Sequence, residues 1–218
     1  CNFDFYKMVY VIGFDFDGTL IISEVEKVRA MVEVFKEKFG VSKGVLTAYK
    51  KLVGKGYNRD AKVKILFEKF LSRKPTKREL KEIADHFGKH YEKSMRDCPM
   101  FKCVNLLKEL RSQVKFMFLL SLENKKEVSK IAKHCGVAKY FDEILGGPNS
   151  KIDNLRHMIK KHKIKPSETI YIGDSHGDVI AAKKMKMKVV LLGKKHVGRK
   201  LKEDLEADFV FSDLCEIK

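Results

Sequence analysis

Residues 11–21, VIGFDFDGTLI, decide how the rest of the chain is read. Taken from Met8, the run MVYVIGF is short, β-branched and free of charge, the pattern of a strand buried on both faces of a sheet. It breaks into Asp15 and Asp17, one residue apart, followed by Gly18 and Thr19. In open parallel sheets, ligands bind beyond the carboxyl ends of the strands, so a carboxylate pair at this strand end marks where to look for chemistry.

Four later apolar runs look like the first: residues 114–120 (VKFMFLL), 169–172 (TIYI), 188–192 (KVVLL) and 208–211 (DFVF). Helical periodicity fills the intervals at 101–110, 125–135, 152–162 and 178–187. Strands alternating with helices predict an α/β fold, a Rossmann-like doubly wound parallel sheet with helices on both faces. Residues 23–97 break this rhythm. They show no strand, only amphipathic helical stretches at 24–39, 43–52, 59–71 and 76–95, with breaks at Gly40, at Gly54 to Gly56 and around Pro75. Thr76 and Glu79 have the spacing of a capping box. Such an interval is far longer than the usual connection after a strand. The expected organisation is a core of residues 1–22 and 98–218, re-entered at Pro99, with an all-helical cap domain at 23–97.

The 218 residues are 44% hydrophobic, enough to supply a core, and no stretch approaches the roughly 20 apolar residues of a membrane span. The N-terminus lacks the basic, apolar and small-residue order of a secretory signal. A soluble, cytoplasmic protein without a membrane partner is expected, as a monomer or homodimer. Residues 1–7 precede the strand and take no part in the fold reading. Cys1, Cys98, Cys103, Cys135 and Cys215 form neither an even set nor a CxxC pair. That argues against a disulfide framework or structural zinc, and for a reducing compartment. His86 and His90 stand four apart on a helix with no third ligand evident, and read as solvated side chains.

The formal net charge of +17 invites a nucleic-acid partner. The excess is spread, with 20 basic and 11 acidic residues in 24–97 against 26 and 18 elsewhere, although 183–202 is a denser basic stretch. Lysine predominates and few aromatics interleave, so neither base readout nor a stacking platform is signalled. A solvated lysine-rich surface is the favoured reading, with nucleic acid kept as an alternative.

The other strand ends add Ser121, then Gly173, Asp174, Ser175 and Asp178, while Lys151 begins a helix after the GGPNS loop. Two unit charges 4 Å apart repel by about 4 kcal/mol at an effective dielectric of 20, so several carboxylates in one crevice call for a cation. Hard oxygen ligands point to Mg²⁺, which prefers a few carboxylates together with water and phosphate oxygens. Ser121 and Lys151 then offer a hydroxyl and an ammonium to the remaining phosphate oxygens.

DFDGT at 15–19, Ser121 after an apolar strand, Lys151, and GDSHGD at 173–178 resemble the four motifs of the haloacid dehalogenase superfamily, in matching order. The resemblance covers residues 8–22 and about 98–218. The helical interval matches the branch with a cap between its first two motifs, that of phosphoglycolate phosphatases and β-phosphoglucomutases. It implies a Mg²⁺-dependent phosphatase acting on a small phosphorylated metabolite. Asp15 would be the nucleophile that forms an aspartyl-phosphate, and Asp17 the general acid and base. Asp15, the backbone carbonyl of Asp17, and Asp174 would bind the metal, with Asp178 in support. Gly18 would let the backbone approach the phosphate, Thr19 would hold the loop, and Ser121, Leu122 and Lys151 would meet the phosphoryl group. Asp17 also disfavours a dehalogenase, which lacks an aspartate there. His176 falls at a variable position and is expected at the substrate rim. For specificity the loop from Gly54 to Arg59 stands out, its cations Lys55 and Arg59 forming a basic lip. A sugar phosphomutase shares Asp15 and Asp17 and is the alternative enzyme. The other alternative is a nucleic-acid-binding or polynucleotide-end-processing protein of this fold.

Overall fold

A computed structural model describes residues 10–53, 55, 57–95, 97, 99–193 and 207–217. The first apolar run forms β1 (Val11–Asp15), and after it come the helices α1 (Glu24–Phe39), α2 (Val45–Lys50), α3 (Arg59–Leu71) and α4 (Lys77–Ser94). The remainder alternates: α5 (Leu106–Gln113), β2 (Phe116–Asn124), α6 (Lys125–His134), β3 (Glu143–Gly147), α7 (Lys151–His162), β4 (Thr169–Gly173), α8 (His176–Lys184), β5 (Lys188–Leu192) and β6 (Phe209–Phe211).

The strands make one sheet in the order β3-β2-β1-β4-β5-β6, with every neighbouring pair parallel. This is the doubly wound order, and its direction reverses between β1 and β4, where a crevice opens at the strand ends. Alternation along β1 sends Ile12 and Phe14 to a face packed by Leu107 and Leu110 of α5 and Val128 and Ile131 of α6. The opposite face buries Phe118 and Tyr171 against Leu155 and Met158 of α7 and Val179 and Ala182 of α8. Gly13 belongs to that second face. A Cβ there would lie 2.0 Å from the Phe118 ring, so the bare backbone of β1 is what lets Phe118 cross it.

One strand was not foreseen. β3 (EILGG) has only two apolar side chains, Ile144 and Leu145, ahead of two glycines and Pro148, too little to stand out as a run, yet it pairs with β2 at the sheet edge. β2 in turn continues to Asn124 rather than ending at Leu120, with a shift of register between those residues. The cysteine expectation is corrected as well. Cys103, ahead of α5, and Cys215, in the last turn, form a disulfide across 112 residues of sequence, a pairing that parity and spacing cannot reveal. The set is therefore no argument for a reducing compartment. Cys1, Cys98, residues 1–9, Gly54, Gly56 and 194–202 of the basic stretch lie outside the described residues.

The helical insertion leaves and rejoins the sheet side by side. Ile21 bridges Met100 in antiparallel fashion, Ile22 N–H donates to the Pro99 carbonyl at 2.6 Å, and Phe101 N–H donates to that of Leu20 at 3.0 Å. α1 packs on α2 and α4 around Met31, Phe35, Tyr49, Phe67 and Phe87, and this apolar cluster is continuous with the Ile12 and Phe14 face of the sheet. Thr76 and Glu79 do form the capping box of α4. Among the described residues, no helix is long and apolar enough to cross a membrane.

Candidate active site

Asp15 ends β1 and is 4% exposed. Thr19 Oγ1 lies 3.5 Å from its Oδ2, and the Lys151 ammonium, in the first turn of α7, donates to its Oδ1 at 2.5 Å. The same ammonium donates to Oδ1 of Asp178, which is fully buried in the first turn of α8. The second oxygen of Asp178 accepts from the Ser175 N–H at 3.1 Å and its hydroxyl at 2.5 Å. Asp178 therefore caps its helix and joins the site at once. Asp174 follows β4 and packs against Gly18, where a Cβ would come within 2.4 Å of Oδ2 and φ is +87°. Glycine answers both demands, the left-handed backbone and the close approach.

Asp15, Asp174 and Asp178 bring carboxylate oxygens within 4.8 Å of one another, the one such acidic group among the described residues. Lys151 balances one of the three charges. Burial pushes Asp15 well above the usual carboxylate range; Lys151 pulls it back in part, and Asp178, Asp174 and Asp17 push it up again. Burial opposes the charge on Lys151, but Asp15 and Asp178 outweigh it and hold the ammonium well above its ordinary value. Three clustered carboxylates offering only oxygen donors fit a hard divalent cation such as Mg²⁺.

Asp17 faces elsewhere. Its Oδ1 accepts from the hydroxyls of Ser23 and Tyr91, each at 2.7 Å, and pairs with Lys27 at 2.9 Å; its Oδ2 accepts from Ser121 at 2.7 Å. Burial alone would raise this carboxyl, yet Lys27 and the hydrogen bonds hold it below its ordinary value. The Ser121 oxygen in turn accepts from the Glu123 N–H at 3.0 Å. Glu123 is 2% exposed and pairs with Lys27 at 3.1 Å and Arg59 at 2.6 Å. Burial disfavours its charge, but Lys27 and Arg59 prevail and keep it ionised.

One sequence expectation changes here. Arg59 is no part of a lip over the substrate: it is buried, forked between Glu123 and Glu127, donating to the Ala84 carbonyl at 3.3 Å, with its guanidinium 4.2 Å from the Phe87 ring centre. Being the first residue of α3, it points into the seam between insertion and sheet, where two carboxylates take up its fork. The Asp17 carboxylate stands outside the acidic triad, held by Ser23, Lys27, Tyr91 and Ser121. The other candidates meet at a cavity of about 250 Å³, lined by Asp15, Asp17, Gly18, Lys55, Ser121 and Leu122, with Lys151 and Asp174 beside them. Thr19 lies behind Asp15, and His176 is exposed on the cavity rim.

Lys27, Ser23, Tyr91 and Glu123 were missed. Glu123 had a signal: it stands two residues after Ser121, on the same side of a buried strand, where an unpaired carboxylate would be costly. Lys27 and Tyr91 come from distant helices, and nothing local announced them. His86 and His90 both approach Glu37 of α1, at 3.7 and 3.2 Å, a neighbour the sequence did not show.

The family model for haloacid dehalogenase-like hydrolases matches residues 12–192. The phosphoglycolate phosphatase of Vibrio parahaemolyticus is 38% identical over 82 residues, a match covering 35% of this chain and only 36% of that protein's length. The phosphoglycolate phosphatase of Vibrio cholerae is 27% identical over 192 residues, covering 81% of each. Among solved structures, a protein described as a predicted phosphoglycolate phosphatase from Haemophilus somnus superposes with a TM-score of 0.79 at 22% identity, over 97% of both chains. That last likeness speaks to the fold alone.

Proposed function

This chain belongs to the haloacid dehalogenase-like hydrolases, and from that premise we propose that it is a Mg²⁺-dependent phosphatase of small phosphomonoesters, with 2-phosphoglycolate the first substrate to try. One observation carries the reading: Asp15 at the end of β1, Asp174 just past β4 and Asp178 in the first turn of α8 converge within 4.8 Å, two of them on Lys151, with the separately held Asp17 two residues past Asp15. The helical insertion, residues 23–97, serves as the cap that shields the cavity from bulk water.

Asp15, Asp174 and Asp178 would hold the cation, with the Asp17 carbonyl in support. When bound, it offsets the repulsion among these carboxylates and neutralises charge on the phosphoryl oxygens. Asp15 attacks phosphorus, the ester P–O bond breaks, and Asp17 gives a proton to the leaving oxygen. Asp17 then takes a proton from the water that opens the aspartyl-phosphate, releasing phosphate and restoring Asp15. Lys151 exchanges part of its contact with Asp15 for a phosphoryl oxygen, and Ser121 donates to another. The described contacts of Asp17 favour its ionised form, the one that accepts a proton from water. To act as an acid it must loosen from Lys27 and Tyr91, so cap movement and proton transfer are linked in this scheme.

The test is phosphate release from a panel containing p-nitrophenyl phosphate, 2-phosphoglycolate, sugar phosphates and nucleotides, with Mg²⁺ and with EDTA. Metal-dependent release concentrated on a small monoester supports the proposal. No release from any member would move weight to the phosphomutase or nucleic-acid alternatives.

A further inference from the structure

The cavity wall carries a cation that the chemistry at Asp15 leaves without a task. Lys62 of α3 is 7% exposed and lines the cavity. Among the described residues its ammonium has no carboxylate at ion-pair distance; its contact is the ring of Tyr49, 5.5 Å from the centroid. The Tyr49 hydroxyl is itself buried with no hydrogen-bond partner among the described residues. The neighbouring cations are spoken for, Lys27 by Asp17 and Glu123, and Arg59 by Glu123 and Glu127. Burial lowers the Lys62 pKa, with Glu123 opposing and Lys27 adding to the effect. A buried ammonium without a direct counter-ion is costly, and an arriving anion relieves that cost.

Resting on the phosphatase reading above, we propose that Lys62 selects the substrate by receiving a carboxylate on the alcohol portion of a short phosphomonoester. The phosphoryl end sits at Asp15 and Lys151, and the carboxylate end at the cap wall. The cavity's roughly 250 Å³ falls below the ~300–1,000 Å³ of typical ligand pockets, which suits a skeleton of a few carbons. A carboxylate fits better than a second phosphate. A point-like ammonium can satisfy a monoanion, whereas a phosphate dianion favours a guanidinium fork, and the Arg59 fork is already taken.

The experiment compares kcat/KM for 2-phosphoglycolate and for its uncharged amide, phosphoglycolamide. Wild-type protein is expected to prefer the acid by about 10- to 100-fold, the range of a hydrogen bond to a charged group. In Lys62→Met that preference falls to near unity, and in Lys62→Arg part of it survives. An equal preference in wild type and Lys62→Met overturns the proposal, as does a wild type that turns over acid and amide alike, a result that needs no folded variant. If wild-type protein releases phosphate from neither compound nor from p-nitrophenyl phosphate, the phosphatase reading falls and this proposal with it.

Discussion

Two buried charge clusters lie on either side of the cavity, and they are built on opposite principles. On the sheet side, Asp15, Asp174 and Asp178 crowd together, with Lys151 shared between two of them. On the cap side, Asp17, Glu123 and Glu127 pair directly with Lys27 and Arg59, while Lys62 stands close by with no carboxylate at ion-pair distance among the described residues. The first cluster crowds three carboxylates within 4.8 Å of one another. In the second, each carboxylate is paired with a cation of the chain, and the pairs tie the helical insertion to β2 and α6. The difference separates a place where the fold tolerates repulsion for chemistry from one where ion pairs fix the geometry of a seam.

Substitutions at matched positions put this contrast at risk. The largest effect belongs to Asp15→Asn, which is expected to lower turnover by on the order of 10⁴-fold or more, as loss of a nucleophile does. Measured without metal, the same variant should unfold at a temperature no lower than wild type, because one of the repelling charges is gone. A variant that kept normal turnover would sink the nucleophile assignment. Glu123→Gln should do the reverse of Asp15→Asn in stability, costing about 3–5 kcal/mol because Lys27 and Arg59 lose a buried partner. Thermal unfolding checks it, and an unchanged midpoint would show that the seam is not held by these ions. The smallest effect lies outside both clusters. Thr76→Ala removes the cap of α4 and should cost about 1 kcal/mol, with a fall of roughly 2–4 °C in midpoint. Its partner Glu79 is held at about 2 by Arg73 and the Thr76 N–H. The stability that Glu79 contributes is thus full above its ordinary carboxylate range and lost as pH falls from there toward 2, so wild type and Glu79→Gln should draw together in thermal midpoint across that window.

The sheet-side cluster was legible in the sequence and the cap-side cluster was not, for a physical reason. Asp15, Lys151, Asp174 and Asp178 each sit at or just past the end of a strand or in the first turn of a helix, with Ser121 close to the end of β2, and the topology of a parallel sheet gathers such ends at one edge. Local patterns were enough to find them. The partners of Asp17 come from Ser23, Lys27 and Tyr91, and they meet only because α1 packs on α4. No periodicity encodes that meeting. Arg59 shows the same limit: the helix start was visible, but the direction of its side chain depends on Glu123 and Glu127, more than sixty residues away. The bounds of α1 and α3 follow from amphipathic spacing and, for α1, the break at Gly40. β3 escaped notice because a short edge strand needs few apolar residues, and the Cys103–Cys215 bond because it joins chain segments that only the finished fold brings together.

On the proposed function, Asp15, Asp174 and Asp178 cluster to hold a divalent cation for phosphoryl transfer. The most direct measurement is a Mg²⁺ titration of EDTA-treated protein, following phosphate release from 2-phosphoglycolate in wild type and in Asp174→Asn. The account predicts saturable activation of the wild type from a negligible starting rate, and a shift of that activation to much higher Mg²⁺ in the variant. Release that proceeds equally well in EDTA, or an Asp174→Asn curve that overlays the wild type, would contradict it.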